Sequence, residues 1–404
     1  MLSTIIYRSH LCDNVSVEIL AGLAADANVR NQLFDVTGIL LFNGSHFFQL
    51  LEGPEEAVNK IYDNICSDNR HNNLVELMRD YAPERRFGNV GMELFDLSQY
   101  AQETVLEAVL KKGTSKYQLT YDDRALQFLC TFVEAREQEN YLEIPPADSW
   151  SFVADETPEP AIEFSKASME DYSFAFQPIV DPLTREVISL EAKLCNLEGN
   201  SAHNYFSCLS PEKVYQADLD SKKLAFALAG KLGIGRKTLS IKLLPMSLVR
   251  VPEAVDFLIE QIKANGLVPE QIVVAVTETE VITQVEEFAS AIRKLKASGI
   301  SLAIDDFGAG SAGLLLLAQI QPEKIIIDRN IISDVHKNGP KQAIVQAIIK
   351  CCSSLEISVI AAGVERPEEW MWLEAAGVLN FQGDLFAKPR LNGIPAVAWP
   401  ETEL

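Results

Sequence analysis

The 404-residue sequence has no run of about eighteen consecutive apolar residues, so it predicts no transmembrane helix. Its opening, MLSTIIYRSH, lacks the apolar core and cleavage site of a secretory signal. Cysteine is sparse: Cys12, Cys66, Cys130, Cys195, Cys208, Cys351 and Cys352 are odd in number and show no CxxC spacing. This excludes a disulfide framework and points to reduced thiols in a cytoplasm. Histidine is scarcer, five residues spread along the chain, so a His-based metal site is not expected. Basic residues are outnumbered, 35 against 57 acids, for a net charge of −22. The pair Arg85 and Arg86 is too short to form a patch for phosphate backbones, which excludes direct nucleic-acid binding. Apolar residues are plentiful, 48% of the chain, enough for the cores of two or three domains.

Residues 1–97 read as a small α+β unit. STIIYRS is an N-terminal strand, VSVEILAGLAADANVRN a helix, and VTGILLFNGSHFFQLLEG two strands around Asn43-Gly44, a strong hairpin signal. PEEAVNKIYDNICSD is a second helix with Pro54 near its first turn, and NLVELMRDYAPERRF and GMELFD supply further strands. Residues 98–171 read as a linker. Leu126, Leu129, Cys130 and Val133 recur at helical spacing, and a Pro-rich, acidic stretch follows. From 172 to 404, eight apolar runs alternate with amphipathic helices that stop at Gly: FAFQPIV, VISLEAKL, LSIKLLP, QIVVAVTETE, SLAIDDF, KIIID, ISVIAAGVE and FQGDLFAKP. Eight strands in a stretch of this length fit a (β/α)₈-type barrel, whose site lies at the carboxyl ends of the strands. Glu191, Glu278, Asp305, Asp306, Asp328 and Gln382 all fall there.

In the N-terminal unit, Gln49 lies inside the apolar HFFQLLEG. A buried amide without a partner costs about 1–3 kcal/mol, and Tyr7 in the first strand is its natural partner. The pair can be a satisfied core bond or a functional one. IIYRS, Asn31 ahead of VTGILLFNGSHFFQLLEG, and RHNNLVELMRDYAPERRFGNVGM together resemble a BLUF domain over residues 1–97, the FAD-binding blue-light sensor of ferredoxin-like fold. The resemblance implies that Tyr7 is electron and proton donor to the excited flavin and that Gln49 bridges Tyr7 to its ring. It further implies that Asn31 holds the ring's carbonyl edge, with Arg30 and His71 as phosphate or ribityl contacts. Met92 matches the Met of the last strand, and Val90 stands where many members carry Trp.

In the C-terminal half, SLAIDDFGAGSAG admits several readings. Gly308, Gly310 and Gly313 spell G-x-G-x-x-G with Asp328 twenty residues after the first, which passes as a dinucleotide pattern. Two carboxylates just ahead of the first Gly, separated from it by Phe307, and the position deep in a strand series, fit that chemistry poorly. Asp305 and Asp306 with Glu191 suit a divalent cation better. The segment can also be the remnant of such a site.

LEAKL, IDDFGAGSAGL, KIIIDRNII, IAAGVE and FQGDLFAKP, in that order, resemble the EAL domain of cyclic di-GMP phosphodiesterases, a modified TIM barrel, over residues 172–404. Matched position by position, Glu191, Glu278, Asp305, Asp306, Glu365 and Gln382 remain. The family's Asn metal ligand is Lys242, the first Glu of E-x-T-E is Ala275, the water-orienting Lys is Ile326, the first Glu of E-G-V-E is Ala362, and the substrate Arg is Cys195. The implied enzyme is inactive, with no bound metal, no catalytic residues and little role for cyclic di-GMP. Lys242 either replaces the metal beside Asp305 and Asp306 or is a solvated side chain at the rim. The whole chain resembles the enterobacterial BLUF–EAL antirepressors, including KGTSKYQLTYDDRALQF and PEEWMWLEAAG. That implies a MerR-type repressor as the partner, released from DNA in the light, while the EAL resemblance implies a homodimer, since EAL domains often dimerise through barrel helices. The alternatives are a light-regulated phosphodiesterase and a non-hydrolysing cyclic di-GMP sensor.

Overall fold

The computed structural model describes residues 2–12, 15–16, 19–82, 85–87, 90–99, 102–113, 123–135, 141–154, 172–200, 209–210, 213–278, 280, 282–310 and 313–402. The chain divides into two compact units, one of Met1–Ile144 with Asp334–Ala343, the other of Pro145–Ser333 with Ile344–Leu404. Among the described residues no helix is long and apolar enough to cross a membrane.

The first unit is built on strands β1 (Leu2–Leu11), β2 (Thr37–Phe42), β3 (His46–Pro54), β4 (His71–Ala82) and β5 (Glu93–Asp96), with helices α1 (Leu20–Leu33), α2 (Glu55–Cys66), α3 (Gln102–Gly113) and α4 (Arg124–Val133). The sheet order is β4-β1-β3-β2-β5. Strand β1 lies antiparallel to β3 in unbroken register, with Tyr7 opposite Gln49 and His10 opposite His46. The hairpin predicted at Asn43-Gly44 is present, with Asn43 Oδ1 accepting from the Ser45 and His46 amides and Gly44 at φ 105°. Alternation of side chains sends Ile5, Tyr7 and Leu51 to one face, where they meet Ala24, Val58 and Tyr62. Ile6, Phe48 and Leu50 go to the other, where they meet Val105, Leu129 and Phe132.

The stretch read as a linker therefore contributes to both units. Of the residues at helical spacing, Leu129 and Val133 cover a sheet face and Leu126 is buried as well, and Asp123 caps α4 by accepting from the Ala125 and Leu126 amides. Within the Pro-rich part lies strand β6 (Trp150–Ala154); residues 114–122, 136–140 and 155–171 of that stretch are outside the described residues.

Glu52 anchors the first unit. Its carboxylate is fully buried and accepts from Thr4 Oγ1 at 2.8 Å, Arg86 N at 2.5 Å and Phe87 N at 2.9 Å, with Arg86 Nε at 3.4 Å. Arg86 also reaches Asp80 and the capping residue Asp123, each at 3.3 Å, and so joins the sheet to α4.

The second unit is a closed barrel. Its strands are β7 (Tyr172–Asp181), β8 (Glu186–Asn196), β9 (Thr238–Leu243), β10 (Ile272–Thr277), β11 (Ser301–Phe307), β12 (Lys324–Ile327), β13 (Ser358–Ala362) and β14 (Asn380–Gln382), closed by β14 on β7. All eight coincide with the apolar runs read from sequence. Helices α5 (Val214–Leu232), α6 (Ser247–Arg250), α7 (Ala254–Ala264), α8 (Val285–Ala297), α9 (Gly313–Ile320), α10 (Arg329–Ile332), α11 (Gly339–Ser353) and α12 (Pro367–Ala375) come between them. One departure from a parallel barrel has a simple cause. The link from β7 to β8 is a four-residue turn, too short for a crossover, so this pair is antiparallel. Besides β6, two short strands escape the sequence reading: β15 (Arg390–Leu391) on β7, and β16 (Ala398–Thr402), which pairs with β6.

Candidate functional site

The first unit encloses a cavity of about 580 Å³ beneath the face that carries Tyr7, within the usual range for small-molecule sites. Tyr7, Arg30, Asn31, Gln49, His71 and Met92 all line it. The walls between them are apolar: Leu20, Leu23, Ala24, Leu40, Ile61 and Ile65.

Each polar member is positioned by its element. Tyr7 and Gln49 face each other across the β1–β3 ladder, and the Tyr7 hydroxyl donates to Gln49 Oε1. Burial holds the Tyr7 phenol well above its ordinary pKa, so it remains a neutral donor. The other end of the amide has only a weak acceptor, Met92 Sδ, 3.6 Å from Gln49 Nε2. Asn31, on the last turn of α1, donates from Nδ2 to Gly91 O at 2.8 Å, and Asn28 Oδ1 accepts from Met92 N at 3.0 Å. These bonds lash the segment before β5 to α1. A Cβ on Gly91 would lie 2.2 Å from Asn28 O, which is why only glycine fits there. Burial also lowers the pKa of His71, whose Nδ1 is buried without a hydrogen-bond partner. Arg30 is exposed at the cavity rim, and Val90 lies exposed two residues from Met92. Sequence reasoning missed Asp68 and Arg70, which also line the cavity and are bonded to each other, Arg70 Nε to Asp68 Oδ1 at 2.8 Å. An Asp-x-Arg pair after a helix is too common a surface motif to signal a site.

A planar heteroaromatic ring fits this chemistry. The cavity is apolar between a few convergent polar groups, and Gln49 and His71 each leave hydrogen-bonding capacity unspent.

In the barrel, the acids at the strand ends are brought near a cation belonging to the chain. Lys242 Nζ lies 3.0 Å from Asp305 Oδ2 and 2.6 Å from Asp306 Oδ2. It thus faces the pair rather than extending free at the rim. A register shift between β11 and β12 and a left-handed Asp306 at φ 53° turn the second carboxylate to the same ammonium. Gln382 Nε2 donates to Glu191 Oε2 at 2.7 Å, and Lys193 Nζ lies 3.4 Å from the same oxygen. Glu365 is engaged by Arg329 at 2.5 Å.

Glu278 settles the glycine motif. It accepts from Gly308 N at 2.7 Å and Gly313 N at 2.8 Å, so its own carboxylate fills the anion nest a dinucleotide phosphate would need. Asp328 instead caps α10, accepting from Asn330 N at 2.8 Å. Three other positions singled out in the sequence are apolar neighbours. Ala275 and Ile326 are buried with Ile179, Val273, Ala303 and Ile360, and Ala362 packs on them. Cys195 is buried, its thiol pushed up to about 11 by desolvation, which keeps it inert.

Asp305 titrates high. Burial raises its carboxyl from 3.8 to about 6, while Lys242 pulls the other way. Because the folded value lies above the unfolded one, this group's contribution to stability is largest below about pH 4. It declines as pH rises to about 6 and is constant beyond. Lys242→Met removes the opposing charge, and carboxyl NMR will then find Asp305 titrating above its wild-type value. An unchanged titration would mean that the ammonium does not face the pair in solution.

Comparison with known proteins agrees with this division. Residues 2–93 match the BLUF family, sensors of blue light using FAD, and residues 163–389 match the EAL domain family. The chain is 58% identical over 401 residues to the blue light- and temperature-regulated antirepressor BluF of Escherichia coli K12, covering 99% of this chain and 100% of that protein. BlrP1 of Klebsiella pneumoniae, solved with manganese and cyclic di-GMP, superposes with a TM-score of 0.90 at 41% identity, covering 100% of both chains. The same protein solved with FMN and cyclic di-GMP and no metal ions gives 0.85 at 37% identity. These neighbours carry the dinucleotide that the sequence reading set aside. The chain belongs to the BLUF–EAL family, a flavin-binding blue-light sensor domain followed by an EAL barrel.

Proposed function

We propose that the protein is a FAD-binding photoreceptor of the cytoplasm whose barrel no longer hydrolyses cyclic di-GMP and acts instead as an antirepressor. Its partner is a MerR-type repressor, bound in the light and drawn off DNA. The observation that carries the reading is Lys242, whose ammonium lies between Asp305 and Asp306 where the family holds an Asn metal ligand. A divalent cation would have to displace a like charge. The apolar layer at Ala275, Ile326 and Ala362 removes two more carboxylates and the lysine that orients water. The BluF relative, named an antirepressor, supports the alternative role.

Tyr7, Gln49, Asn31, His71, Arg30 and Met92 would hold the flavin, which when bound supplies the absorption of blue light. Tyr7 Oη keeps its proton in the dark and donates to Gln49 Oε1. A rearranged Gln49 amide exchanges its donor and acceptor ends, breaking that bond and the Met92 contact together. Met92 precedes β5, and β5 leads into α3, which shares a core with the sheet. A shift there changes partner affinity only if the two states bind the partner differently.

The test is paired. Purified protein is assayed for repressor binding and for cyclic di-GMP hydrolysis with Mg²⁺ or Mn²⁺, each in dark and light. The reading requires binding at least tenfold tighter in light and no sustained turnover. Equal binding in both states would defeat the antirepressor role. The second reading is a light-regulated phosphodiesterase, favoured by the BlrP1 complexes and by the retained Glu191, Asp305, Asp306 and Gln382. Turnover would establish it, and calorimetric binding without turnover would make the barrel a cyclic di-GMP sensor.

A further inference from the structure

The sheet of the first unit carries a second cross-strand pair three residues along from Tyr7 and Gln49. His10 and His46 are directly opposed on β1 and β3, with ring centroids 4.7 Å apart. Side chains alternate along a strand, so this pair points to the face opposite the cavity. Glu143, from the last residues of the unit, comes down between them. Its Oε2 lies 2.7 Å from His10 Nδ1 and its Oε1 2.5 Å from His46 Nε2. One ligand atom from each of the three residues lies within 4.8 Å of the others, and among the described residues this is the one such group of histidine, cysteine and acid side chains.

We propose that His10, His46 and Glu143 form a binding site for a divalent transition metal of the zinc class. Two imidazoles and one carboxylate are a tetrahedral donor set with a fourth position left for water. The side chains are 28%, 17% and 34% exposed, so that position opens to solvent. Mg²⁺ and Ca²⁺ prefer all-oxygen sets and are disfavoured by two nitrogens. The surroundings suit the ligands. Ser45 Oγ lies 2.8 Å from His46 Nδ1 and can accept its proton when Nε2 turns its lone pair to a metal. Glu143 is steadied by its neighbour, since Ile144 and Asn73 exchange two hydrogen bonds, at 3.1 and 3.2 Å. Burial holds the His46 imidazole toward the neutral form a metal requires, and the charge of Arg8, stacked on Tyr141 at 3.8 Å, acts in the same direction. A bound ion would pin residues 141–144 to the two strands that hold Tyr7 and Gln49.

The test uses the full-length flavin-loaded protein, stripped by chelator, with its thiols alkylated so that they cannot compete. Zn²⁺ is titrated against a chromophoric chelator, and Co²⁺ is added separately to read d–d bands. One equivalent of Zn²⁺ per chain and tetrahedral Co²⁺ bands are expected. Both disappear in His10→Ala and His46→Ala, Glu143→Gln weakens binding, and Ser45→Ala weakens it about tenfold. Circular dichroism and flavin content confirm that each variant is folded. Absence of stoichiometric binding would overturn the proposal and leave a proton-bridged cluster. Zn²⁺ affinity unchanged in both histidine variants would overturn it equally.

Discussion

Tyr7→Phe will leave the protein yellow and abolish the light-induced red shift of its flavin band. The substitution removes one oxygen and keeps the ring, which packs 5.6 Å from Tyr62 at 56° within the apolar cluster under α1 and α2. The cavity keeps its walls, so flavin content is unchanged. What is lost is the donor to Gln49 Oε1, at a stability cost of about 1 kcal/mol. With no proton to pass and no bond to exchange, the amide has a single arrangement. Dark and lit absorption spectra measure the outcome, and a shift of undiminished size would show that Tyr7 is only a core residue. Repressor binding by the variant should likewise be the same in dark and light.

Glu52→Ala will destabilise the sensor unit by about 3–5 kcal/mol, the usual cost of stripping one partner from a buried charge network. The alanine leaves the Arg86 and Phe87 amides without their acceptor and the Thr4 hydroxyl proton without its own, although Thr4 Oγ1 still accepts from Arg86 Nη2 at 2.9 Å. Arg86 keeps Asp80 and Asp123, both at the longer distance of 3.3 Å, so the loss falls mainly on the backbone donors. Against a total stability of about 5–15 kcal/mol this is a large fraction. Urea unfolding followed by flavin release reads it as a lower midpoint. Glu52→Gln, which keeps an acceptor oxygen, should lose less. A loss below about 1 kcal/mol in the alanine variant would mean that solvent reaches these amides after the substitution.

The elements with strong local signals were legible in the sequence. The Asn43-Gly44 hairpin and the eight apolar runs of the barrel are each specified by neighbouring residues, and each is found where it was read. Tyr7 and Gln49 could be paired because a buried amide demands a partner and the hairpin brings one. The misses share a different character. Strand β6 hid in Pro-rich composition because its partner β16 lies some 250 residues away. Lys242 could be read by charge, but only the register of β9 beside β10 and the turn at Asp306 decide that it meets both acids. Glu278 was legible only as an acid at a strand end that keeps the EAL pattern, and its bonds to the glycine turn are invisible to any motif. The histidines seemed dispersed, yet a strand register joins two of them and a residue 133 positions from His10 completes the group. Spacing along a chain reports local geometry, and these sites are made by return of the chain.

The apolar layer at the barrel's centre also bears on which substitutions the fold tolerates. Ala275, Ile326 and Ala362 pack with the same few neighbours, so each has come to depend on the others. An ionisable side chain put back at one of them alone would enter a dry layer without a counter-charge. Lys242 would oppose any metal that could supply one. A single charged substitution in this layer is therefore costly, and these three positions are expected to tolerate change together sooner than one at a time. The centre of the barrel thus behaves as a set, in which one apolar side chain can be exchanged for another far more readily than for a charge.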